Sequence, residues 1–597
     1  MNVYSSDFET TTDPNDCRVW AWGSCTIDDP LNTFEYGNTL DGFIERFKNE
    51  NSTHWFHNAG FDSEFVIHWL LTHGFEHREK KERGTFTTVI SQTGIFYSLK
   101  ITFKNGKTLK ILDNMKKFPF SVDKIAKDFK LPIKKLKGHI DYNLFRPIGH
   151  ILTKKEIEYL KNDVIIVALA LKGKLDAGLT KMTRASDALA DYKEIIGKKT
   201  FDSWFPILDL NLDKDCRQSY KGGFVWVNPK FQNKRIQEGI VFDVNSLYPS
   251  RMLLETLPYG NPIAYEGEYQ NDPDYPLFIE YIRCRFRVKK NHIPTIQLKN
   301  NFMFRNCSTE YLTTSVNSLG QDEPVAMVMT SVDLQLFFDH YDVYDLERVR
   351  GLKFKASNNL FTEYINKWGQ AKVNATTPSE KQNAKDMLNC LYGKFGKNPD
   401  VTSKIPYLKE DGSVGYKLPT YTVINENGEE VTKTAQELSD PIYIPLASFI
   451  TAYARNVTIR TAQKLYDRII YCDTDSIHLV GTEIPDIDIH ESRLGAWKHE
   501  STFCKARFIR PKTYIEIIEI EKQSYQKFID NGQRAFVYSS KGKYFEKNIK
   551  CAGMPDNIKE TVTFKNFKIG FISGEKLVPS HVPGGIVLVK RPFEIRS

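Results

Sequence analysis

Residues 468–480 read RIIYCDTDSIHLV, two apolar strands joined by a tight acidic turn. Side chains two positions apart on a strand point to the same side, so we expect Asp473 and Asp475 to project together from the turn. Two carboxylates this close are costly unless a cation or protons neutralise them. An ordinary polar hairpin turn, which Asp and Ser favour, stays open as the alternative while this motif stands alone.

An upstream strand ends on a third acidic residue. Residues 239–249 read GIVFDVNSLYP, a β-branched run that ends at Asp243. A single strand-terminal Asp commonly caps a neighbouring element. Beside the turn that carries Asp473 and Asp475, it would complete an all-oxygen site for two Mg²⁺ ions, which can activate a hydroxyl and stabilise a leaving phosphate oxygen. The combination predicts phosphoryl transfer.

A predicted helix over 379–395 supplies a face for the substrate. Four of its residues fall on one narrow face at about 100° per residue, namely Lys381, Lys385, Asn389 and Tyr392. Lysines neutralise triphosphate charge and a tyrosine ring packs against a base pair, so the face suits an incoming nucleotide. A solvated helix face is the usual explanation for two lysines and stays open at this point.

The amino-terminal part carries a second set of acids. Asp7 and Glu9 lie two apart in SSDFETTT, Asp62 lies in HNAGFD, and Tyr159 and Asp163 in YLKND share one face of a predicted helix over 154–172. Acids scattered in this way are normally surface residues. The order of the three motifs gives them a more specific interpretation.

In this order the motifs resemble two known families. DVNSLYP, KDMLNCLYG, YCDTDS and the KTY of residues 512–514 resemble the polymerase motifs of family B DNA polymerases, while DFET, NxGFD and YxxxD resemble those of DnaQ-type 3′–5′ proofreading exonucleases. YKGG at 220–223 and two long inserts are similar to the protein-primed family B DNA polymerases of the phi-29 phage type. This last resemblance runs nearly end to end.

The resemblance implies roles for individual residues at both sites. At the polymerase site it makes Asp243, Asp475 and the Val244 carbonyl metal ligands, with Asp473 supporting the primer end. The implied nucleotide-binding residues are Tyr248, Lys372, Lys381, Lys385, Asn389 and Tyr392, where Tyr248 would select the sugar. At the exonuclease site the implied metal ligands are Asp7, Glu9, Asp62 and Asp163, with Tyr159 orienting water and Lys137 assisting phosphate cleavage.

The same resemblance implies residues that contact DNA. They are Thr10, His57, Asn58, Phe61, Phe65, Tyr220, Gly222, Gly223, Lys512 and Tyr514. Asn114 and Met115 are further candidates for holding a single strand, although relatives carry Ser-Leu at these two positions. Aromatic rings and polar groups are the usual means of holding a frayed 3′ end.

The implied fold is a mixed α/β (α+β) multidomain chain. An RNase H-like (DnaQ-type) exonuclease domain at 1–183 precedes a right-hand polymerase domain at 184–597. Within the latter we expect a palm at 184–254 and 440–547, a terminal-protein insert at 255–352, fingers at 353–396, a second insert at 397–439 and a thumb at 548–597. The second insert is expected to form one or two hairpins and to complete a ring around the template and the upstream duplex.

Composition agrees with a folded multidomain chain. The 597 residues include 82 Lys plus Arg against 74 Asp plus Glu, and this net charge of +8 is compatible with a polyanionic partner. Nine scattered cysteines without a CxxC pair support neither a disulfide framework nor a zinc site. The start MNVYSSDFETTT lacks the features of a signal peptide and no apolar run could span a bilayer, so we expect a cytoplasmic protein.

The full expectation is a DNA-dependent DNA polymerase with 3′–5′ exonuclease activity. It would be protein-primed, processive and strand-displacing, use two Mg²⁺ or Mn²⁺ ions per site, and replicate a linear phage genome as a monomer in an infected bacterial cell. Its partners would be primer-template and single-stranded DNA, dNTPs and a terminal protein. The alternatives are an exonuclease whose carboxy-terminal half is a non-catalytic clamp, a single-strand binding protein, and a reverse transcriptase.

Overall fold

Two eight-stranded β-sheets, one in each half of the chain, form the centre of the fold. The computed structural model describes residues 2–136, 138, 140–296, 314–424 and 430–596. The predicted role of Lys137 therefore falls outside the described residues. Within them, no helix has both the length and the apolarity needed to cross a bilayer.

The amino-terminal sheet has the order β3-β2-β1-β4-β8-β7-β6-β5, with β1, β4 and β8 parallel. Its strands are β1 (Asn2–Thr10), β2 (Val19–Thr26), β3 (Glu35–Gly37), β4 (Ser52–Phe56), β5 (Glu76–His77), β6 (Thr85–Ile90), β7 (Phe96–Thr102) and β8 (Thr108–Asp113). Its helices are α1 (Leu40–Phe47), α2 (Ala59–Thr72), α3 (Val122–Asp128) and α4 (Lys154–Asp176). Trp22 of β2 joins a core with α2 while its neighbour Ala21 joins a core with α4, so these helices cover opposite faces.

The helix α4 is longer than its sequence predicts. It begins at the capping box formed by Thr153 and Glu156, as expected for its first turn, but runs on to Asp176 through the stretch LKGKLD. The sequence predicts its end at residue 172, where the character of the chain changes. The additional turn is stabilised by a tertiary contact, since the ammonium group of Lys174 is buried and paired with the carboxylate of Asp386.

The carboxy-terminal half contains an antiparallel sheet of order β25-β26-β24-β23-β10-β22-β21-β9. Its strands are β9 (Val225–Val227), β10 (Gly239–Val244), β21 (Ile469–Asp473), β22 (Ser476–Val480), β23 (Trp497–Arg510), β24 (Thr513–Ile520), β25 (Val537–Ser540) and β26 (Lys543–Cys551). The surrounding helices are α5 (Arg184–Ile196), α6 (Lys198–Trp204), α7 (Leu210–Arg217), α8 (Leu247–Leu254), α12 (Ile444–Lys464) and α13 (Lys522–Asp530). Ala454 and Ile459 of α12 pack against Phe242 and Ile477 of the sheet.

The two inserts and the finger helices extend from this sheet. The first insert is a four-stranded sheet with the helix α9 (Ser331–His340), formed by β11 (Leu257–Glu266), β12 (Leu277–Val288), β15 (Val325–Thr330) and β16 (Tyr341–Ser357), plus the small ribbon β13 (Ser315–Val316) and β14 (Asp322–Glu323). The strand β16 crosses the predicted boundary at 352, because it pairs with β11 as far as Ser357. The finger helices are α10 (Thr362–Asn374) and α11 (Pro378–Phe395).

The second insert forms two hairpins, as its turn signals predict. They are β17 (Ile405–Leu408) with β18 (Val414–Lys417), and β19 (Thr420–Ile424) with β20 (Glu430–Thr434). The chain ends with α14 (Asp556–Thr561) and the hairpin of β27 (Ile572–Val582) and β28 (Gly585–Glu594). The strand β26 runs to Cys551 in the palm sheet, four residues past the predicted palm boundary at 547.

Two distant segments, one from the second insert and one from the terminal hairpin, meet on α2. The phenol of Tyr416 in β18 donates to Oε1 of Glu64, and Nδ1 of His581 in β27 lies 3.4 Å from Oε2 of the same carboxylate. The tip of the last hairpin sits so close that a Cβ at Gly584 would lie 2.0 Å from the carbonyl oxygen of Cys17. We call Glu64, Tyr416 and His581 the three-way junction, which ties the second insert and the terminal hairpin to the amino-terminal domain.

Candidate active sites

A cavity of about 450 Å³ lies between the palm sheet and the finger helices. Its lining residues are Asp243, Val244, Ser246, Leu247, Tyr248, Lys372, Lys385, Leu388, Asn389, Tyr392 and Asp475. The strand β10 pairs with β22, and the backbone nitrogen of Val244 donates to the carbonyl oxygen of Asp475 at 2.8 Å. This pairing places the third carboxylate of the sequence interpretation beside the acidic turn, as predicted.

The two acids of the turn differ from the prediction in their direction. Thr474 has a left-handed backbone, with φ of 59°, so the strand alternation stops between Asp473 and Asp475. Only Asp475 lines the cavity. Asp473 accepts from the Tyr471 hydroxyl at 2.9 Å and from Nζ of Lys512 at 2.5 Å. Asp473 therefore lies beside the cavity, paired with Lys512, while its charge still raises the pKa of Asp475.

The cavity has an acidic side and a basic side. Burial and the charge of Asp475 raise the pKa of Asp243 to about 7, and burial raises the pKa of Asp475. Among the described residues, neither carboxylate forms an ion pair with Lys or Arg. On the opposite side, burial and then the charges of Lys385 and Lys381 lower the pKa of Lys372. Lys381 thus belongs to the basic cluster without lining the cavity.

Two stacked tyrosines form part of the cavity wall between these sides. The rings of Tyr248 and Tyr392 have centroids 4.1 Å apart and are inclined by 19°. Each comes from a different element, one from α8 and one from α11. A flat aromatic surface beside the lysines is the arrangement expected for holding a nucleoside next to its phosphates.

A second acidic site lies on the amino-terminal sheet. Burial and the charge of Asp163 raise the pKa of Asp7 to about 7. Burial, Asp7 and Asp163 raise the pKa of Glu9, while burial, Asp7 and Glu9 raise that of Asp62. The four predicted acids therefore lie within electrostatic reach of one another. A cavity of about 170 Å³ opens here, lined in part by Asp7, His57, Lys135 and Asp163.

Two further side chains at this site were not predicted from the sequence. Lys135 pairs with Oδ2 of Asp163, and its ammonium lies 5.0 Å above the ring of Tyr159. The Tyr142 hydroxyl donates to Oε2 of Glu9 at 3.1 Å. In the sequence Lys135 is one of several lysines in KKLK, and no pattern marks it or Tyr142 as different from its neighbours.

The donor chemistry at both sites fits hard divalent cations. Oδ1 of Asp163 is buried and has no hydrogen-bond partner among the described residues, and Lys135 is the cation that pairs with this cluster of four acids. Carboxylate oxygens in such excess are the ligands that Mg²⁺ prefers. In the described part of the chain, no three acidic, His or Cys side chains already form a ready metal-ligating group.

The predicted DNA contacts separate into accessible and buried residues. Asn58 is exposed, Phe61, Tyr220, Gly222 and Lys512 are at least partly exposed, and His57 lines the amino-terminal cavity, where its Nε2 lies 2.7 Å from the Phe120 carbonyl. Four others are buried or lie in close packing, namely Thr10, Phe65, Gly223 and Tyr514. Asn114 is fully buried and Met115 half-buried.

Several of these residues are buried and therefore lie behind the surfaces of the two sites. Phe65 is 1% exposed and packs beneath the terminal hairpin, and Tyr514 is 8% exposed and stacks on Phe508 with centroids 4.9 Å apart. A Cβ at Gly223 would lie 2.5 Å from Oγ1 of Thr474, so this glycine allows the acidic turn to approach the backbone. In this conformation these residues pack behind the sites and expose little surface.

The raised pKa of Asp243 predicts a pH-dependent effect on stability. The unfolded carboxyl titrates near 3.8 and the folded one near 7, so the folded state loses stability as the pH rises through 7. We expect Asp243→Asn to raise the free energy of unfolding at pH 8 by about 1–2 kcal/mol, after allowing for solvent screening, and to change it little near pH 4. Urea unfolding in EDTA at both pH values measures this. Equal effects at the two values would contradict the charge explanation.

Comparisons with known proteins agree with this geometry. A family model described as DNA polymerase type B, organellar and viral, matches residues 136–494. The DNA polymerase of Bacillus phage phi29 is 47% identical over 603 residues, covering 100% of this chain and 99% of the relative. That of Streptococcus phage Cp-1 is 33% identical over 616 residues, covering 100% and 98%. A solved structure of phi29 DNA polymerase with primer-template DNA and incoming nucleotides has a TM-score of 0.87 at 45% identity, with both chains covered completely.

The fold, the palm cavity and these comparisons thus define a nucleotidyltransferase that polymerises DNA, namely a DNA polymerase of type B. The mixed α/β multidomain architecture predicted from the motifs is confirmed over the full length. The chain belongs to the phi29-type members of the family B DNA polymerases.

Proposed function

We propose that this DNA polymerase also proofreads, starts from a protein primer, and copies DNA processively while displacing the opposite strand. The observation that carries the proofreading part is the pair of separate acidic sites, one on each large sheet. Two separate clusters of buried carboxylates with raised pKa in one chain support two phosphoryl-transfer reactions. Family membership favours polymerisation over the clamp, single-strand binding and reverse-transcription alternatives.

In the polymerase site the protein positions the reacting groups. Asp243, Asp475 and the Val244 carbonyl would hold two Mg²⁺ or Mn²⁺ ions, which supply charge stabilisation at the transferred phosphate. Lys372 and Lys385, supported by Lys381, neutralise the triphosphate. Asn389 and the stacked rings of Tyr248 and Tyr392 hold the nucleoside, with Tyr248 under the sugar. Asp473 and Lys512 form an ion pair near the primer end.

In the exonuclease site Asp7, Glu9, Asp62 and Asp163 would hold the second pair of metal ions. Tyr159 lies under the Lys135 ammonium, and Tyr142 fixes Glu9 through its hydroxyl. We propose that Tyr159 orients the attacking water and that Lys135 neutralises the cleaved phosphate, a role that the sequence interpretation gave to Lys137. Asn58 and Phe61 are the accessible residues beside the site for a single-stranded 3′ end.

The ligands present in solved structures of relatives support a proposal for the partners of this enzyme. Solved structures of phi29 DNA polymerase contain single-stranded DNA, primer-template DNA and incoming nucleotides, and we propose the same ligands here. We further propose that the first insert contacts a terminal protein whose hydroxyl starts synthesis. The enzyme would act as a monomer in the cytoplasm of an infected bacterial cell and replicate a linear phage genome.

Primer extension on a small primed single-stranded circle tests the proposal. With this protein alone, Mg²⁺ and dNTPs, we expect products many circle-lengths long, because synthesis past the first lap requires displacement of the strand ahead. Stalling after one lap would refute strand displacement. Release of nucleotides from a single-stranded 3′ end in the absence of dNTPs tests proofreading separately.

The three-way junction predicts which contacts sustain long synthesis. Glu64→Ala removes the acceptor of Tyr416 and the partner of His581, and so loosens both segments that dock on α2. We expect the product length per binding event, measured with a heparin trap, to fall about 3- to 10-fold, the equivalent of roughly 1 kcal/mol of lost docking free energy. Insertion of a single nucleotide should not change.

Glu45→Ala is the matched control for this variant, since Glu45 pairs with Lys48 on the exposed face of α1 in the same domain. It should leave the product length unchanged. A Glu64→Ala enzyme with unchanged product length would show that the junction does not hold the two segments during synthesis.

A further inference from the structure

A buried ion-pair network connects the exonuclease helix α4 to the finger helix α11. Nζ of Lys174 donates to Oδ2 of Asp386 at 2.9 Å and to Oδ1 of Asn383 at 3.0 Å, and Nη1 of Arg184 donates to Oδ1 of Asp386 at 2.7 Å. Lys174 is 1% exposed and Asp386 is 5% exposed. We call Lys174, Arg184, Asn383 and Asp386 the α4–α11 network. It lies outside both cavities.

Each end of the network is attached to a functional site. Lys174 lies on α4, eleven residues after Asp163, which places it about 16 Å along the helix from the exonuclease acids. Asp386 follows Lys385 directly on α11, the helix whose cavity-lining residues bind the nucleotide. A fixed contact at Asp386 therefore fixes the rotation of the nucleotide-binding face.

The amino-terminal domain holds the cationic side of the network rigidly. The Lys174 ammonium lies 5.1 Å above the ring of Phe118. One residue earlier, Nζ of Lys117 donates to Oδ2 of Asp187 at 2.5 Å and to the Leu179 carbonyl at 2.7 Å. Asp187 and Arg184 lie on the same helix, α5, which packs against α11. The finger helix is thus tied to the exonuclease domain directly through Lys174 and indirectly through α5, which Lys117 anchors.

Buried ion pairs add little net stability, because the loss of hydration offsets much of the attraction. They do select one geometry, since a helix that slides or rotates leaves a buried charge unpaired. An apolar contact of the same volume would tolerate such movement. The network is better suited to fixing the orientation of α11 than to stabilising the fold.

We propose that Lys174 and Asp386 are positioning residues for nucleotide incorporation. They hold α11 so that Lys385, Asn389 and Tyr392 meet the incoming nucleotide opposite Asp243 and Asp475. Without the ion pair, α11 samples several rotations and only some of them bind the triphosphate. The affinity for the nucleotide then falls, whereas the rate from the correctly bound complex changes little.

The test replaces the ion pair with an apolar pair in the full-length enzyme. Lys174→Met with Asp386→Leu keeps the volume, and Arg184, which is one quarter exposed, can turn to solvent. Single-nucleotide insertion over a range of dNTP concentrations is expected to show a KM about 10-fold higher with kcat within about twofold. Thermal unfolding and excision of a single-stranded 3′ end should match the parent.

Two further variants make the result decisive. Asp386→Asn keeps the shape of the side chain and removes only its charge, so it should raise the KM by a smaller factor even if the double variant unfolds. Lys172→Met removes a lysine of α4 that pairs with Asp176 on the surface, and should leave the KM unchanged. A parental KM in the folded double variant and in Asp386→Asn, or an equal rise in Lys172→Met, would overturn the proposal.

Discussion

Asp475→Asn is expected to lower single-nucleotide insertion by about 10³-fold or more, while excision of a single-stranded 3′ end continues at the parental rate. The side chain lines the palm cavity beside Asp243, and neither acid forms an ion pair among the described residues. Loss of one of the two proposed carboxylate ligands would remove several kcal/mol of charge stabilisation at the transferred phosphate, and each 1.4 kcal/mol corresponds to about tenfold in rate. The substitution is nearly isosteric, so the turn should stay folded.

Asp473→Asn is the informative comparison, because Asp473 lies close to Asp475 but pairs with Lys512 and does not line the cavity. Asp473 binds Lys512 and the Tyr471 hydroxyl and does not line the cavity. We expect this variant to weaken extension of primed DNA by less than Asp475→Asn does, and to raise the concentration of primer-template required. Rapid-quench insertion at saturating and limiting DNA separates the two effects. Equal losses in both variants would show that both acids act on the metal ions.

The positions of the proposed catalytic carboxylates could be predicted because each lies near the end of a short apolar strand or in the turn that follows one. Asp243 and the acidic turn follow apolar runs that can only be central strands, and neighbouring central strands bring their ends together. The direction of Asp473 could not be predicted, since it depends on one left-handed residue, Thr474, that any polar turn could contain. Side chains alternate between the two faces only within a strand, so this rule no longer applies where the turn begins.

Contacts between distant segments could not be predicted from the sequence. Phe65 and Tyr514 carry rings suited to stacking on bases, but Phe65 packs against the terminal hairpin, and the ring of Tyr514 packs against Tyr471 and His478 of two earlier strands. Lys135 is marked only by its ion pair with Asp163. The α4–α11 network joins residues more than two hundred positions apart, and no local pattern identifies Lys174 or Asp386 as partners.

Asp7→Ala combined with Glu9→Ala is expected to lower excision of a single-stranded 3′ end by about 10³-fold or more, with nucleotide insertion unchanged. Both acids lie in the amino-terminal cluster, where burial and mutual repulsion raise their pKa, and both would contribute oxygen ligands. Loss of two ligands leaves Asp62 and Asp163, of which Asp163 is already paired with Lys135. The remaining charge is too small to hold two divalent cations.

A matched control for this double variant is Asp13→Ala with Asp16→Ala, which removes two acids from the loop after the same strand, outside the cluster. It should excise at close to the parental rate. Excision of a labelled single strand and extension of a primed template, measured on the same preparations with thermal unfolding as a check of folding, give the comparison. Since the two sites lie on different sheets, loss of both activities in a folded Asp7/Glu9 variant would contradict the assignment of separate sites.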